Sequence, residues 1–235
     1  MNMDFEKIYR DGAYAAKNPD WSAADAPWKA GMIAALLKKN RIDFNEMTEV
    51  GCGSGKILSS LQETFPGKDY KGYDISPQAI ALAQKIANPQ LTLKEADFIT
   101  GFDGVTDVLL VIDVVEHVAD YYGFLNRLRS KSNNFVFHIP LDLSCRTIFK
   151  PHVNLQQRQS VGHIHYFTKD AVLWMLEDCG YRVVDWHYTK PRIDLDKVKG
   201  MKANIKKGLR NSSYRIAPEW SVKLWGGYSM MILAK

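Results

Sequence analysis

A short strand-like run in this chain ends in three closely spaced glycines, and a helical pattern follows at once. The run covers residues 47–50, the glycines are Gly51, Gly53 and Gly55, and the helical pattern covers 56–65. Glycine lets the backbone turn sharply and approach a ligand closely, and a helix N-terminus offers free N–H groups with a partial positive charge. The stretch therefore predicts a strand, turn and helix that bind a nucleotide-like cofactor.

Strand-like runs and helical patterns alternate along most of the chain. Residues 107–112 form a nearly continuous apolar run, which is typical of a strand covered on both faces of a parallel sheet. The alternation predicts a doubly wound α/β sheet. About 40 residues separate the last two predicted strands, which excludes a tight hairpin but not antiparallel pairing. The other predicted strands are 47–50, 70–75, 91–95, 135–139, 182–188 and 228–234.

Composition is that of an ordinary globular protein. The chain has 235 residues, of which 46% are hydrophobic and 24% charged, so we expect a single domain over 1–235. No run approaches the roughly 20 apolar residues of a membrane span, no signal-peptide core is present, and the cysteine spacing suggests neither disulfides nor a zinc site. We expect a cytoplasmic protein, with the oligomeric state open. The predicted subdivisions are an N-terminal lid and helix over 1–40 and substrate-cap insertions at 141–167 and 190–220.

Acidic residues follow the predicted strands two, three and four. Ligands of open α/β sheets bind outside the carboxyl ends of the strands. Asp74 lies 19 residues past Gly55, a spacing at which a carboxylate can accept hydrogen bonds from a ribose diol. Asp97, after the third strand, can accept a hydrogen bond from an exocyclic adenine amine. Asp113 is the first residue of a polar group, 113–117, that follows the fourth strand. The sequence therefore predicts a nucleoside site at this edge of the sheet.

These motifs resemble those of the class I S-adenosylmethionine-dependent methyltransferases, over nearly the whole chain. The first motif of that family, Glu/Asp-x-Gly-x-Gly-x-Gly, stands here as residues 49–55. A dinucleotide fold would have Gly-x-Gly-x-x-Gly, but Lys56 occupies the position of its third glycine. Residues 107–118 and 162–168 are similar to motifs of the ubiquinone-biosynthesis-like and related small-molecule branches. The resemblance implies a seven-stranded Rossmann-like sheet of order 3-2-1-4-5-7-6 with strand 7 antiparallel.

The resemblance also implies S-adenosylmethionine as the cofactor. It places the glycines against the methionine and ribose part, Glu49 on the amino group through water, and Asp74 on the ribose hydroxyls. Asp97 and Phe98 meet the adenine, and the backbone around Asp113 meets the methionine end. The residues assigned to the cofactor are Glu49, Gly51, Gly53, Gly55, Asp74, Ile75, Asp97, Phe98 and Asp113.

The chemistry of methyl transfer points to histidines. The cofactor supplies the activated methyl group, so the protein mainly aligns the reactants, but the nucleophile usually has to lose a proton. Histidine suits that task. The candidate catalytic residues are His117, His163 and His165, with His138 as a further candidate, and each also fits a structural histidine. His163 and His165 are two residues apart, so in an extended segment they would point the same way.

A metal site is the alternative chemistry. Asp113, Glu116 and His117 have the spacing i, i+3, i+4, which would place all three on one side of a helical turn. Such a set can hold Mg²⁺ or another divalent ion, with one of the later histidines, and orient a diol. Related methyltransferases with an acidic-x-x-Glu-His arrangement use a metal in this way, but many with Glu-His do not, and Asp113 is shorter than the usual Glu. No metal is therefore expected.

The segment 190–215 is strongly basic. It holds nine Lys and Arg against Asp194 and Asp196, and its apolar residues fall at helical spacing, which predicts an amphipathic basic helix. We expect a cap helix with a solvated charged face; peripheral contact with an anionic membrane, an anionic substrate and RNA are the alternatives. Nucleic acid is disfavoured because no aromatic groove accompanies the segment. The apolar positions are Leu195, Val198, Met201, Ile205 and Leu209.

The predicted function is S-adenosylmethionine-dependent methylation, on an oxygen of a small molecule. Two alternatives stay open. One is a methyltransferase for RNA or a lipid-associated substrate that uses the segment 190–215. The other is a non-catalytic module that only binds the nucleoside.

Overall fold

The computed structural model describes residues 5–21, 23–195 and 200–235. Its centre is a seven-stranded sheet of order β3-β2-β1-β4-β5-β7-β6, as predicted. β7 runs antiparallel between its neighbours β5 and β6, and the other pairs are parallel. The strands are β1 Glu46–Val50, β2 Asp69–Asp74, β3 Leu91–Glu95, β4 Val108–Ile112, β5 Phe135–Pro140, β6 Val183–Thr189 and β7 Ser229–Ala234.

Helices surround the sheet. Those between the parallel strands begin at recognisable signals: the Ser76 side chain accepts from the Ala79 amide just before α5, and the Thr168 side chain accepts from the Ala171 amide before α10. The helices are α1 Lys7–Arg10, α2 Ala13–Lys17, α3 Ala26–Lys39, α4 Lys56–Thr64, α5 Pro77–Ala83, α6 Phe98–Gly101, α7 Tyr121–Leu128, α8 Cys145–Phe149, α9 His152–Ser160, α10 Lys169–Asp178, α11 Pro191–Asp194, α12 Met201–Ile216 and α13 Pro218–Trp225.

Two hydrophobic clusters lie on the two faces of the sheet. β4 shows why, because all five of its residues are buried and successive side chains alternate between the clusters. Leu109 and Val111 pack with α7 and α10 in one cluster, while Leu110 packs with α3 and α4 in the other. The continuous apolar run of β4 follows from this double coverage.

The cap segments differ from the sequence prediction in their regularity. No helix is predicted within the insertion 141–167, but the structure has α8 and α9 there. α9 buries none of its residues, so it has no apolar periodicity that a sequence pattern could show. The basic helix begins at Met201 and extends to Ile216, and residues 196–199 of the predicted stripe lie outside the described part of the chain.

Among the residues that the structure describes, no helix combines the length and the apolar character that crossing a bilayer requires.

Candidate functional site

The turn after β1 is held tightly between two neighbouring segments. Gly51 has φ of +67°, and a Cβ on it would lie 2.7 Å from the Val114 side chain. Only glycine meets both conditions. The amides of Gly51 and Cys52 donate to the Tyr73 carbonyl at 2.8 and 3.0 Å. The turn is therefore fixed against the end of β2 and the loop after β4.

The Asp74 carboxylate organises this turn from the end of β2. Its Oδ2 accepts from the Gly53 amide at 2.8 Å and its Oδ1 from the Ser76 amide at 2.8 Å. Burial raises the pKa of Asp74, while these two N–H groups oppose the rise. The same carboxylate lines the main cavity, at the position predicted for the ribose.

A cavity of about 470 Å³ opens at the carboxyl ends of the central strands. Small-molecule sites typically have volumes in the range of roughly 300 to 1,000 Å³. The structure brings all but one of the predicted cofactor residues to its wall. Gly55 is the exception: it lies at the start of α4 with φ of +71° and packs against Leu93. The predicted residues that line the cavity are Glu49, Gly51, Gly53, Asp74, Ile75, Asp97, Phe98 and Asp113.

The two carboxylates that flank Asp74 have different surroundings. Glu49 is buried, and its Oε2 has no hydrogen-bond partner among the described residues. Burial raises the pKa of Glu49, and the Lys29 charge opposes the rise. Asp97 instead caps α6 by accepting from the Ile99 amide at 2.8 Å. Glu49 is thus available to a cationic ligand group, whereas Asp97 keeps one oxygen for a ligand.

Asp113 is engaged by two basic side chains. Its Oδ2 lies 2.7 Å from the Lys29 ammonium, and its Oδ1 lies 2.6 Å from Nδ1 of His138. Burial alone would raise the pKa of Asp113, but the charges of His138 and Lys29 outweigh burial and lower it well below its usual range. His138 Nε2 in turn contacts the Thr189 hydroxyl at 2.8 Å. Both ring nitrogens of His138 therefore have partners, although the residue also lines the cavity.

The backbone at residues 113–117 does not form the regular helical turn that the alternative metal set of Asp113, Glu116 and His117 requires. Asp113 has φ of +53°, in the left-handed region, and Val115–His117 is a 3-10 turn. Asp113 therefore points to Lys29 rather than joining its two predicted partners. The residues that converge instead are Glu116, His117 and His163.

Glu116 is the centre of this second polar group. Its side chain is fully buried, and neither carboxylate oxygen has a hydrogen-bond partner among the described residues. Nε2 of His117 and Nε2 of His163 each lie 3.9 Å from its Oε1. The Glu116 carbonyl accepts from the amides of Ile164 and His165 at 2.9 and 3.2 Å, which pins the segment of His163 beside it. We call Glu116, His117 and His163 the polar triangle.

Both histidines of the polar triangle are fixed through Nδ1. His163 Nδ1 lies 2.6 Å from the Asp142 carboxylate, and His117 Nδ1 lies 3.1 Å from the Gly162 carbonyl and 2.9 Å from the Tyr9 hydroxyl. Their surroundings act on them in opposite directions. Burial and the neighbouring His163 lower the pKa of His117 to about 4. Burial also disfavours the charged form of His163, but Asp142 and Glu116 outweigh burial and raise the pKa of His163.

The three candidate catalytic histidines are not equivalent. His117 and His163 line the cavity, whereas His165 does not. Nε2 of His165 contacts the Val118 carbonyl at 3.0 Å, and its ring packs edge-on against Tyr121. The segment around them is not a strand, so the alternation rule that would aim His163 and His165 the same way does not apply.

Sequence reasoning missed three residues of the site. Lys29 lies on α3, Tyr9 on α1, and Asp142 two residues after β5. Asp142 had a usable signal, because it is an acidic residue at the carboxyl end of a predicted strand, like Asp74. Tyr9 and Lys29 fall within the predicted N-terminal lid and helix over 1–40, but no sequence spacing predicts their polar contacts, since only the tertiary fold brings these two side chains to the sheet edge.

Comparison with known proteins agrees with this geometry. The family model described as a methyltransferase domain matches residues 27–185. The chain belongs to this family. The predicted S-adenosylmethionine-dependent methyltransferase is confirmed, while the ubiquinone-biosynthesis-like branch stays a prediction.

Relatives of this methyltransferase are distant. Norajmaline N-methyltransferase of Rauvolfia serpentina is 30% identical over 89 residues, which are 35% of this chain and 30% of that enzyme. Magnesium protoporphyrin IX methyltransferase of Synechocystis PCC 6803, with bound SAH, has a TM-score of 0.65 and 16% identity over 98% of this chain and 99% of that one. The plantazolicin methyltransferase BpumL, in complex with a monoazolic desmethylPZN analog and SAH, has a TM-score of 0.63 and 15% identity over 98% and 92%. These structures share the fold of the methyltransferase.

Proposed function

We propose that this methyltransferase transfers the methyl group of S-adenosylmethionine to an oxygen atom of a small molecule. The observation that supports it is the continuity of one cavity from the glycine turn to the polar triangle. The residues predicted to bind the cofactor line one end of that cavity. Its other end presents a carboxylate and two imidazole nitrogens, all of which accept hydrogen bonds.

Hydrogen-bond acceptors favour a hydroxyl as the methyl acceptor. A hydroxyl donates to them and turns a lone pair towards the sulfonium carbon. The displacement forms the O–CH₃ bond, breaks the S–CH₃ bond and releases one proton to the acceptors, with S-adenosylhomocysteine as the second product. Alignment supplies most of the acceleration in such a site. His117 and His163 are the catalytic candidates of this proposal, and His165 is not.

Three segments enclose the acceptor end in this proposal. They are the N-terminal lid and helix over 1–40 and the cap segments 141–167 and 190–220. Each supplies cavity residues, among them Tyr14, Val161 and Pro191. The cavity volume suits a compact acceptor rather than a polymer.

Turnover with paired acceptors tests this function. The protein is incubated with S-adenosylmethionine and matched compounds that differ only in a hydroxyl or an amine, such as catechols and the corresponding aminophenols, and products are identified by mass spectrometry. We expect methyl ethers from the hydroxyl compounds, and less product from an Asp74→Ala variant at a low concentration of S-adenosylmethionine. Methylamines from the aminophenols, with unreacted hydroxyls, would overturn the oxygen assignment. Stabilisation by NAD but not by S-adenosylhomocysteine in thermal shift would overturn the cofactor as well.

A lipid-associated acceptor is the second candidate, because α12 exposes its apolar side. Met201, Ile205 and Leu209 are 78%, 56% and 56% exposed, whereas Arg210 on the same helix is buried. The apolar side of α12 is thus exposed to solvent, whereas the expected cap helix would expose only its charged side. A cleft of about 420 Å³ beside this helix is lined by cations with no acidic residue among its described walls. Exposed apolar residues next to cations are typical of helices that lie in an anionic membrane surface.

Vesicle sedimentation separates the two candidates. We expect the protein to sediment with vesicles that contain phosphatidylserine at low salt, and an Ile205→Ser/Leu209→Ser variant to stay in solution. Trp174→Ser is the matched control, since Trp174 is 64% exposed but lies on α10. No binding by the wild type, or equal binding by all three proteins, would remove the lipid-associated acceptor and leave the small-molecule proposal untouched.

A further inference from the structure

Three electron-pair donors of the polar triangle converge on one point. The Glu116 carboxylate and one nitrogen of each histidine all lie within 4.8 Å of one another. The two spacings of 3.9 Å to Glu116 Oε1 exceed hydrogen-bond length, so no proton is shared across them. The three side chains therefore face one another without forming hydrogen bonds among themselves.

The tautomers follow from the Nδ1 contacts. The Gly162 carbonyl and the Asp142 carboxylate can only accept, so Nδ1 of His117 and of His163 must each hold the ring proton. In the neutral rings both Nε2 atoms then present lone pairs towards Glu116, and because the pKa of His163 is raised, a metal ion that binds there displaces a proton from its Nε2. Metal-binding histidines typically show this pattern, with the second ring nitrogen held by a carboxylate or a backbone carbonyl.

Burial makes the arrangement unfavourable unless a cation completes it. Glu116 is fully buried, and both of its oxygens lack a hydrogen-bond partner in the described part of the chain. An unpaired carboxylate in such a place is strongly destabilised, so burial and the nearby Asp113 raise the pKa of Glu116 to about 8, and a bound divalent ion would replace the proton. Lys29 does not fill this role, because it is paired with Asp113.

We propose that Glu116, His117 and His163 bind one divalent transition-metal ion through a carboxylate oxygen and two Nε2 atoms. One carboxylate and two imidazoles suit Zn²⁺, Fe²⁺ or Co²⁺, whereas Mg²⁺ prefers oxygen ligands. Bonds of roughly 2.0 to 2.2 Å in a tetrahedron set ligand atoms about 3.4 Å apart, so the two spacings of 3.9 Å to Glu116 would each close by about half an ångström around the ion. The set differs from the spacing-based one by exchanging Asp113 for His163.

The role of the metal rests on the proposed function, although its binding does not. Three protein ligands leave a coordination position open towards the cavity, which both histidines line. A hydroxyl oxygen of the acceptor bound there would be held in line with the methyl group and would lose its proton more readily, to the second oxygen of the Glu116 carboxylate. His163 and His117 are then ligands, and Asp142 is a positioning residue that orients His163.

Metal titration of the tag-free protein tests the proposal without an acceptor. After treatment with a chelator and its removal, Zn²⁺ is titrated by calorimetry, with Mg²⁺ in parallel and Co²⁺ as a coloured substitute. We expect one Zn²⁺ per chain, binding of Mg²⁺ at least 100-fold weaker, and visible absorption of the Co²⁺ form. Asp142→Asn should weaken Zn²⁺ binding about 10- to 100-fold while the stoichiometry stays the same.

Single-residue variants locate the ion. Glu116→Gln and His163→Ala should each lose at least 100-fold in Zn²⁺ affinity, with circular dichroism confirming the fold. His165→Ala is the matched control, because this histidine lies two residues away and contacts the Val118 carbonyl instead. Absence of Zn²⁺ binding by the wild type, or equal affinity in Glu116→Gln and His165→Ala, overturns the proposal. S-adenosylhomocysteine binding is measured on the same samples, so a failure of the metal site and a failure of the proposed function are distinguished.

Discussion

The Asp74 carboxylate and the Gly53 amide are joined by a hydrogen bond of 2.8 Å between the end of β2 and the turn after β1. The bond gives Asp74 two tasks: it shapes the turn that approaches the cofactor, and it lines the cavity itself. The shape of the turn after β1 and part of the cavity wall therefore both depend on the Asp74 side chain.

Removal of that carboxylate should weaken cofactor binding. For Asp74→Ala we expect the affinity for S-adenosylhomocysteine to fall by about 1.5 to 3 kcal/mol, the usual contribution of hydrogen bonds to a charged group. Calorimetry measures the change. Asp69→Ala is the control, since Asp69 begins the same strand at its exposed end. Equal affinities of the two variants would contradict the assignment of Asp74 to the ribose.

Cofactor affinity should depend on pH through Glu49. Burial raises the pKa of this carboxyl, so in the free protein it stays protonated above its usual range. Only the carboxylate attracts the ammonium group of the ligand. Affinity for S-adenosylhomocysteine should therefore rise between about pH 5 and about pH 7.5, below the pKa of the ligand's amino group. Calorimetry across this range should show a flatter profile for Glu49→Gln.

Adenosine is the matched ligand for the Glu49 experiment. It keeps the ribose and the base but lacks the ammonium group, so its affinity should vary less with pH in both proteins. The same slope for adenosine and S-adenosylhomocysteine would assign the pH dependence to another group, with Asp74 as the first candidate.

Lys29 should matter more for stability than an exposed lysine with a similar contact. Lys29→Met leaves Asp113 with His138 as its only basic partner in the described part of the chain, and we expect a loss of about 1.5 to 3 kcal/mol in the free energy of unfolding. Lys39→Met is the control: Lys39 lies 2.8 Å from Asp185 but is 70% exposed, so its loss should be within about 1 kcal/mol. Urea unfolding compares the two. Equal losses would mean that the Lys29–Asp113 pair is no stronger than a surface pair.

Much of the fold was predictable because the central elements have strong local patterns. β1, β3 and β5 have the predicted bounds to within one residue, and the order of the sheet follows the family resemblance. α8 and α9 were missed for the opposite reason. α9 buries none of its residues, so its sequence lacks the periodicity that marks a buried face.

The site was predictable only in part. The predicted cofactor end is built from short sequence motifs, whereas the other end depends on contacts between residues far apart in the sequence. The glycines and acids at the strand ends can be placed from the order of strands alone. The polar triangle depends on a contact across 45 residues between His117 and the Gly162 carbonyl, and on the reach of Asp142 to His163. No sequence spacing encodes such contacts, so the metal set based on spacing included Asp113.

The backbone geometry at Asp113 restricts the residue types that fit this position. The left-handed φ of +53° is accessible to Asp, Asn and Gly but disfavours longer and branched side chains. Glu, which the resemblance makes the more usual residue at this position, would have to change the path of the loop. The ion pair with Lys29 then selects Asp among the three small candidates. In a library of substitutions at this position, few variants should remain folded. A folded variant with Glu at this position should also carry a second change in the loop that follows β4.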